Sequence, residues 1–430
     1  MNSHGRNREQ DALYRAGRDS KTQGSAMLDM LVVGGGYVGL AAAVAVKQAA
    51  PHLDVMIVEA APETAWKKDM RASAIIAAAS KMLDVLGVWN EIAPEAEPIT
   101  RMIVTDSRTG DPVRPVFLTF DGEVAEGQPF AHMVSNMTMV GALRGACERL
   151  GIPIKHGLSA TDFVTDDNKT TLTLSDGSTL ETRLLVACDG VRSKLRDMAG
   201  IKTVNWDYGQ SGIVVTVEHE RPHGGCAEEH FLPSGPFAIL PLKNNRSSLV
   251  WTERTPDAER LVASDDLLFE AELERRFGHK LGALTTVGER RAFPLGLTLA
   301  RDFVAPRFAL AGDAAHGIHP ISGQGLNLGF KDVAALAETI VEADRLGLDI
   351  GSINTLERYQ TWRRFDTFRM GVTTDVLNRL FSNDNTPLRI ARDFGLGIVD
   401  RLPSLKSFFI GQAAGTTAKD NPRLLAGEAI

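Results

Sequence analysis

Residues whose types and spacing could do chemistry gather in three places. At the first, Gly34-x-Gly36-x-x-Gly39 follows the apolar run Met30-Leu31-Val32-Val33 and opens into an alanine-rich stretch through about Gln48. In such a pattern Gly34 makes a tight turn, Gly36 lets backbone approach a pyrophosphate, and Gly39 lets helix and strand pack closely. The helix N-terminus then faces the negative charge. A second apolar run, Val55-Met56-Ile57-Val58, ends at Glu59, about 20 residues past Gly39, the spacing at which a carboxylate reaches a ribose 2′-hydroxyl. A carboxylate would repel a 2′-phosphate, so an unphosphorylated ribose is expected. The bland alternative, a glycine-rich turn with no ligand, leaves the register of strand, turn, helix and acid unexplained.

The second place is Leu184-Leu185-Val186-Ala187-Cys188, a buried strand running into Asp189-Gly190-Val191-Arg192-Ser193-Lys194-Leu195-Arg196. Ligands in open α/β sheets collect outside the carboxyl ends of strands, where Asp189 and Gly190 would lie. At the third, Phe308-Ala309-Leu310-Ala311 leads into Gly312-Asp313 and on through His316, His319 and Pro320 to Gly323-Gln324-Gly325-Leu326-Asn327. That turn presents backbone N–H groups at the start of a helix, an anion-binding arrangement. Asp313 at a strand end suits sugar-like hydroxyls, the alternative being a simple turn residue. His316 and His319 read as structural residues rather than proton carriers. Arg71 suits phosphate or ribose oxygens near the first turn, and equally a solvated arginine ahead of a helix.

The elements that must position these residues alternate strand and helix at first. Asp69 to Ile75 is expected to open a helix carrying Met82, Leu83, Leu86 and Val88. Ile103 to Val124 is strand-like with a turn at 109–112, and Asn136 precedes a helix that stops at Gly151-Ile152-Pro153. Leu172 to Ser178 reads as a hairpin around Asp176-Gly177. From Trp206 to Phe293 alternating strands form a second sheet, interrupted by one helix at roughly Ser264 to Phe277. Leu326, Leu328, Phe330, Val333, Leu336, Ala337 and Ile340 then pattern a long helix.

At 430 residues the chain has room for two or three domains, and its net charge of −7 leaves no basic footprint for nucleic acid. Cys147, Cys188 and Cys226 are too far apart for a disulfide framework or a zinc site, so no metal is expected and a reducing cytosol fits best. The uncharged stretch between Asp29 and Lys47 is broken by glycines and falls short of the roughly 20 residues a spanning helix needs. Met1 to Ala26 is polar, carries no signal-peptide core, and reads as a flexible tail.

Taken in order and spacing, Gly34-x-Gly36-x-x-Gly39 with Glu59, Cys188-Asp189-Gly190 through Arg196, and Gly312-Asp313 through Asn327 resemble the three motifs of the flavoprotein aromatic hydroxylases, the p-hydroxybenzoate hydroxylase-like fold. The likeness runs from about Leu28 to Gly415. Within that group the chain is most similar to the ubiquinone-biosynthesis hydroxylases. The supporting stretches are Asp207-Tyr208-Gly209-Gln210, Ala238-Ile239-Leu240-Pro241-Leu242, Thr374-Asp375 to Asp384, and Arg392-Asp393-Phe394-Gly395-Leu396.

The resemblance implies an α/β chain: a Rossmann-like FAD-binding domain (27–100, 130–200 and 295–345), a mainly antiparallel substrate sheet (101–129 and 201–294), and a C-terminal helical region (346–430). FAD would lie with the glycine turn on its pyrophosphate, Glu59 on the adenosine ribose, Arg71 near the phosphates and Asp313 on the ribityl chain. The backbone of Gly323, Gln324, Gly325, Leu326 and Asn327 would lie under the flavin's pyrimidine end, and Asp189-Gly190 would serve both FAD and NAD(P)H, the reductant. No second GxGxxG follows a strand, so NAD(P)H would bind without a Rossmann domain of its own.

The implied reaction is hydroxylation of a polyprenyl phenol, a ubiquinone precursor, by O2 through a flavin C4a-hydroperoxide, in a pocket dry enough to keep that species from decaying. Phe231, Phe237, Ile239 and Leu240 with Pro320 are the expected walls. Neither paired carboxylates nor a Ser-His-Asp set is required, so no catalytic side chain is assigned. A flavin oxidoreductase of the same fold without oxygen insertion (a prenyl reductase or dehydrogenase) and a lipid-escort protein without flavin remain the alternatives.

Within the C-terminal region Val372, Val376, Leu377, Leu380 and Phe381 are expected to pack on the core. A second cluster, Leu402, Leu405, Phe408, Phe409 and Ile410, is expected to meet the inner-membrane surface or a ubiquinone-biosynthesis complex, making an otherwise cytoplasmic protein peripheral.

Overall fold

The computed structural model describes residues 27–109, 114, 116–121, 123–125, 128–382 and 421–430. The N-terminal tail, most of the 109–112 turn, the stretch 383–396 and the Leu402 to Ile410 cluster lie outside the described residues.

Runs that are apolar at every position make strands buried on both faces. Met30, Leu31, Val32, Ile57, Leu184, Leu185, Val186, Phe308, Ala309 and Leu310 are all sealed from solvent. These strands run parallel in the order Ile154–His156, Val55–Glu59, Leu28–Val33, Thr179–Ala187. The last is long enough to serve two neighbours on its other edge. Its first half takes the antiparallel hairpin partner Thr170–Leu174, and its second half takes Phe308–Leu310, in parallel.

Helix Tyr37–Ala49 lies close on this sheet because its inward positions are small: Ala41, Ala43, Val44 and Ala45 are all buried. The helix Gln324–Arg345 packs beside it, buried over most of its length.

The second sheet runs His316–Gly317, Leu284–Ala300, Thr203–His219, Arg246–Arg254, Gly235–Leu242, Cys226–Leu232, Arg101–Asp106, Val116–Asp121. Side chains alternate across a strand, so each strand feeds two layers. The outer layer, with Ile213, Phe237, Ile239, Leu249 and Trp251, packs under Ala258, Leu261, Phe269 and Leu273. The inner face turns toward the first sheet. There Ala227, Leu240 and Met102 meet a small sheet made of Ala72–Ile76, Ala131–Ser135 and Glu97–Ile99. Val104 and Phe231 meet Phe381 at the end of helix Ile353–Phe381.

Two local expectations need correction. Asp69 to Ile75 does not open a helix: Ala72–Ile76 is a strand paired antiparallel with Ala131–Ser135, and the helix begins at Ala77. Alanine propensity is weak beside a complete ladder of backbone hydrogen bonds. The helix expected at Ser264 to Phe277 is preceded by another, Thr255–Ala263, whose first turn carries Pro256. The chain breaks at Asp265, whose carboxylate caps Asp266–Phe277 by accepting the Leu268 N–H at 2.8 Å.

Candidate active site

Register alone brings the three sequence motifs together. Val33 stands beside Val58 and Ala187, and Ala187 beside Leu310, so the four parallel strands end at one level. The ladder continues into the loops: Gly34 N–H donates to Val58 O (2.8 Å), Cys188 N–H to Val33 O (2.7 Å) and Ala311 N–H to Ala187 O (3.0 Å).

Glycine sterics then lock the loops to one another. A Cβ on Gly34, at φ +114°, would stand 2.2 Å from Cys188 O, and one on Gly39 2.0 Å from Gly34 O. Val38 is the contact for the third loop, lying 3.1 Å from a Cβ on Gly312 and 2.7 Å from one on Gly329. Gly36 differs: it is exposed, and a Cβ there would meet nothing within 4 Å. Open space therefore lies where a pyrophosphate is expected, in front of the helix N-terminus.

Around that space sit Glu59, Asp69, Arg71, Tyr37 and Asp313. Glu59 accepts Gly35 N–H at Oε2 (2.5 Å) and Ala61 N–H at Oε1 (2.7 Å), which fixes its carboxylate beside the glycine turn. Two backbone donors leave further lone pairs for a ligand hydroxyl. Arg71 is no free solvated arginine: it donates twice to Asp69 (both 2.8 Å) and lies 5.6 Å from the Phe293 ring of the second sheet.

Asp313 retains accessible surface although protein crowds around it, which is what a residue lining a cleft does. The crowding pushes its carboxyl above the ordinary range, against the pull of His316 and Arg71. Tyr37 is pushed up as well, by burial first and by Asp313 next.

Behind the third loop is a sealed charge network. Asp332 accepts Gly312 N–H (2.9 Å), bonds His316 Nε2 (2.5 Å), and takes a bond from Arg363 Nε (2.8 Å), all three side chains being buried. Burial alone would raise the Asp332 carboxyl, yet His316 and Arg363 beside it hold it below the ordinary range. His316 is thus a structural residue. Its partner Asp332, which no motif or spacing singles out, holds the turn that carries Asp313.

His319 is also sealed, and burial lowers it to about 4, so the ring is neutral. Its Nδ1 accepts Ile321 N–H at 3.3 Å, leaving Nε2 as a donor without a partner beside Pro320. Asp189 is similar: Oδ2 accepts Leu195 N–H at 3.4 Å and Oδ1 is buried without a partner.

The turn into the long helix is held by Asn327. It accepts Ile76 N–H (3.1 Å) and donates to Ala74 O (2.8 Å) and Gly323 O (3.0 Å), so its side chain is committed to protein. Gly323, at φ +62°, caps the helix, and a Cβ there would stand 3.3 Å from Ala74. Gln324 and Leu326 are buried, while Gly325 is half-buried with open space before it.

The expected pocket walls divide by strand parity. Leu240 is half-buried on the inner face and Phe231 is buried there. Phe237 and Ile239 face the other way, into the outer layer, and do not reach the cleft. The inner face also carries Glu229, a buried acid missed in the sequence. The signal available for it was a charged pair, Glu228-Glu229, inside an otherwise apolar strand.

Two sequence stretches behind the family resemblance meet here: Gln210 Oε1 accepts Asn378 Nδ2–H (2.9 Å), and Trp206 donates to Asp375 (3.0 Å). The helix end carrying Thr374 and Asp375 is thereby docked on the second sheet. Its apolar stripe splits, Phe381 being buried while Val372 and Val376 are exposed.

The cradle at Gly36, the accessible Asp313 carboxylate and the partnerless Asp189 oxygen all fit a dinucleotide cofactor with polyhydroxyl character, and the apolar second sheet fits a ring substrate. Fold and cleft together are those of a dinucleotide-binding α/β protein with a second sheet facing the cofactor loops.

Comparison with known proteins narrows that class. The family described as FAD binding domain matches residues 27–364. Over 407 residues the chain is 45% identical to the ubiquinone hydroxylase UbiL of Rhodospirillum rubrum, covering 93% of this chain and 92% of that one. It is 35% identical to the 3-demethoxyubiquinol 3-hydroxylase of Escherichia coli over 393 residues, 90% and 98% of the two chains. Among solved structures, p-nitrophenol 4-monooxygenase from Pseudomonas putida superposes with a TM-score of 0.75 at 18% identity, covering 91% and 99%, a likeness of fold. The chain belongs to the FAD-dependent monooxygenases, in the branch of the ubiquinone-biosynthesis hydroxylases.

Proposed function

We propose that this protein hydroxylates the aromatic ring of a polyprenyl phenol on the route to ubiquinone, using FAD, O2 and NAD(P)H. The observation that carries the reading is the cleft itself: three polar loops on one side, and on the other an inner sheet face whose Val214, Leu240 and Val250 remain partly accessible. Gly34, Gly36 and Gly39 shape the pyrophosphate site, Glu59 receives the adenosine ribose, and Arg71, held by Asp69, stands by the phosphates. Asp313 would take the ribityl hydroxyls, Asp189 and Gly190 would serve FAD and the reductant, and the Gly323–Asn327 backbone would hold the flavin's pyrimidine end.

Bound FAD supplies the activated oxygen; the chain binds, orients and excludes water. Donors at the start of Gln324–Arg345 would favour negative charge on a flavin ring held there. Residues 27–100, 130–200 and 295–345 hold the cofactor in this reading, 101–129 and 201–294 the substrate, and 346–430 form the C-terminal helical part.

No helix among the described residues is long and apolar enough to cross a membrane. Peripheral contact through the C-terminal part is supported by Phe365 (74% exposed), Phe368 and Val376, which share one face of their helix. A polyprenyl tail is itself too apolar to travel freely in water.

The deciding experiment gives FAD-loaded protein a short-chain polyprenyl phenol and NAD(P)H. One O2 consumed per hydroxylated product is expected. A substrate that is reduced or dehydrogenated without oxygen uptake would replace this reading with that of an oxidoreductase lacking oxygen insertion.

A further inference from the structure

Strand register puts Val214, Val250, Ala238, Glu229 and Val104 in one row across five strands of the inner face. Side chains directly opposite on one face stand about 4.5–5.5 Å apart at Cβ. Glu229 is therefore flanked across the sheet by Ala238 and Val104, and along its own strand by Ala227 and Phe231, the next residues on the same face. All four are apolar and buried.

Other charged groups on this face lie further off: Asp106 opposite Phe231, Arg246 with Glu218 and Arg254 toward the strand ends, and Arg291 at the far end of the row beyond Val214. Glu228 and His230 project from the other face, where His230 lies by Phe237 and Lys280 bonds Glu228. No hydrogen bond or ion pair reaches the Glu229 side chain among the described residues. The residue keeps 5% of its surface exposed.

A buried carboxyl without a partner is costly, and native proteins rarely keep one without a use. Its location supplies the use. Ala227 and Leu240, next to it on this face, pack in one cluster with Ala74, whose carbonyl accepts a hydrogen bond from Asn327 Nδ2 (2.8 Å) at the turn into the long helix. The acid thus faces the space between the substrate sheet and the loop assigned to the ring end of the cofactor.

We propose that Glu229 receives the ring hydroxyl of the phenolic substrate and takes its proton. This inference rests on the hydroxylase reading above. The phenol O–H bond breaks, an O–H bond forms on the carboxylate, and the electron pair stays on the phenolate oxygen, enriching the ring for attack on electrophilic oxygen. Burial lifts Glu229 to about 7, which matches a group that gains and loses a proton near neutrality.

The test uses the full, FAD-loaded chain with a short-chain polyprenyl phenol and its O-methyl ether, binding being read from the flavin absorbance. A site built around a hydroxyl rejects an analogue lacking it. The wild type is expected to prefer the phenol by about tenfold or more, and Glu229→Leu to erase that preference with flavin content intact. Glu229→Gln, matched in volume, keeps the test decisive should the leucine variant fail to fold: it retains most of the preference but turns over about tenfold or more slowly, since an amide cannot take the proton. Wild-type preference and turnover in both variants would overturn the assignment of Glu229 alone. Wild-type protein without phenol-dependent oxygen uptake would overturn the hydroxylase reading beneath it.

Discussion

The two walls of the cleft are made by different means. On the cofactor side the chain offers backbone and polar side chains held by other groups: Glu59 by two N–H groups, Arg71 by Asp69, the Gly312 turn by Asp332. On the substrate side it offers an apolar sheet face in which one acid, Glu229, is given no anchor. In the proposed reading the first wall meets groups common to every flavin dinucleotide, so fixed spacing suffices. Its mate must fit one class of ring and tail, and only the choice of side chain on a generic strand can do that. Fixed backbone tolerates no intrusion, whereas a side-chain wall tolerates change and reports it as altered selectivity.

The sharpest way to break this contrast is a methyl group placed at two glycines two residues apart. Gly34→Ala drives a Cβ to within 2.2 Å of Cys188 O at a positive φ, and a cost above about 4 kcal/mol is expected. Such a variant should yield no folded, flavin-loaded protein. Gly36→Ala enters open space at φ −76°, so its melting temperature should stay near wild type while FAD is lost on dialysis. If both variants fold and keep flavin, the cofactor wall is not the rigid element described here.

A smaller effect sharpens the comparison through pH. Glu229 is raised from 4.5 to about 7 in the fold, so the native state holds the proton more tightly. Its favourable contribution is fully present below about pH 4.5 and is lost as pH rises toward 7. His319 is lowered from 6.5 to about 4; its contribution is present above about pH 6.5 and is lost as pH falls toward 4. The two slopes oppose each other in the same window. Glu229→Gln removes the first, so its stability relative to wild type should improve by roughly 2–3 kcal/mol between pH 5 and 8. Urea midpoints across that range measure it, and a flat difference would mean that Glu229 sits in a polar setting.

Much of the first wall was legible because chemistry and local geometry coincide there: a glycine that must turn, an acid ending a buried strand, a helix start. Asp332 and His316 were not, since nothing in their spacing predicts that they pair with each other and with Arg363 from the following helix. The strand at Ala72–Ile76 was misread because its alanines favour helix until a partner strand is supplied. Phe237 and Ile239 were assigned to the pocket on apolar character alone. Which face of a strand looks inward depends on the layers packed against it, and those come from distant parts of the chain.

The adjacent residues Ile239 and Leu240 allow that last point to be tested where the expected effect is smallest. They belong to one strand and have similar size, yet Ile239 is buried beneath the outer helices and Leu240 is half-buried over the cleft. Truncating Ile239 to alanine should cost about 2–5 kcal/mol of stability, as for other core aliphatics, and leave KM for the phenol near its wild-type value. Leu240→Ala removes less buried surface, so a cost of about 1–2 kcal/mol is expected. Its signature lies in the reaction: a raised KM, and more O2 consumed per hydroxylated product as water enters beside the ring. Parity of the strand alone separates the two outcomes, so an Ile239→Ala protein that is stable but uncoupled would reverse the assignment of the sheet's faces.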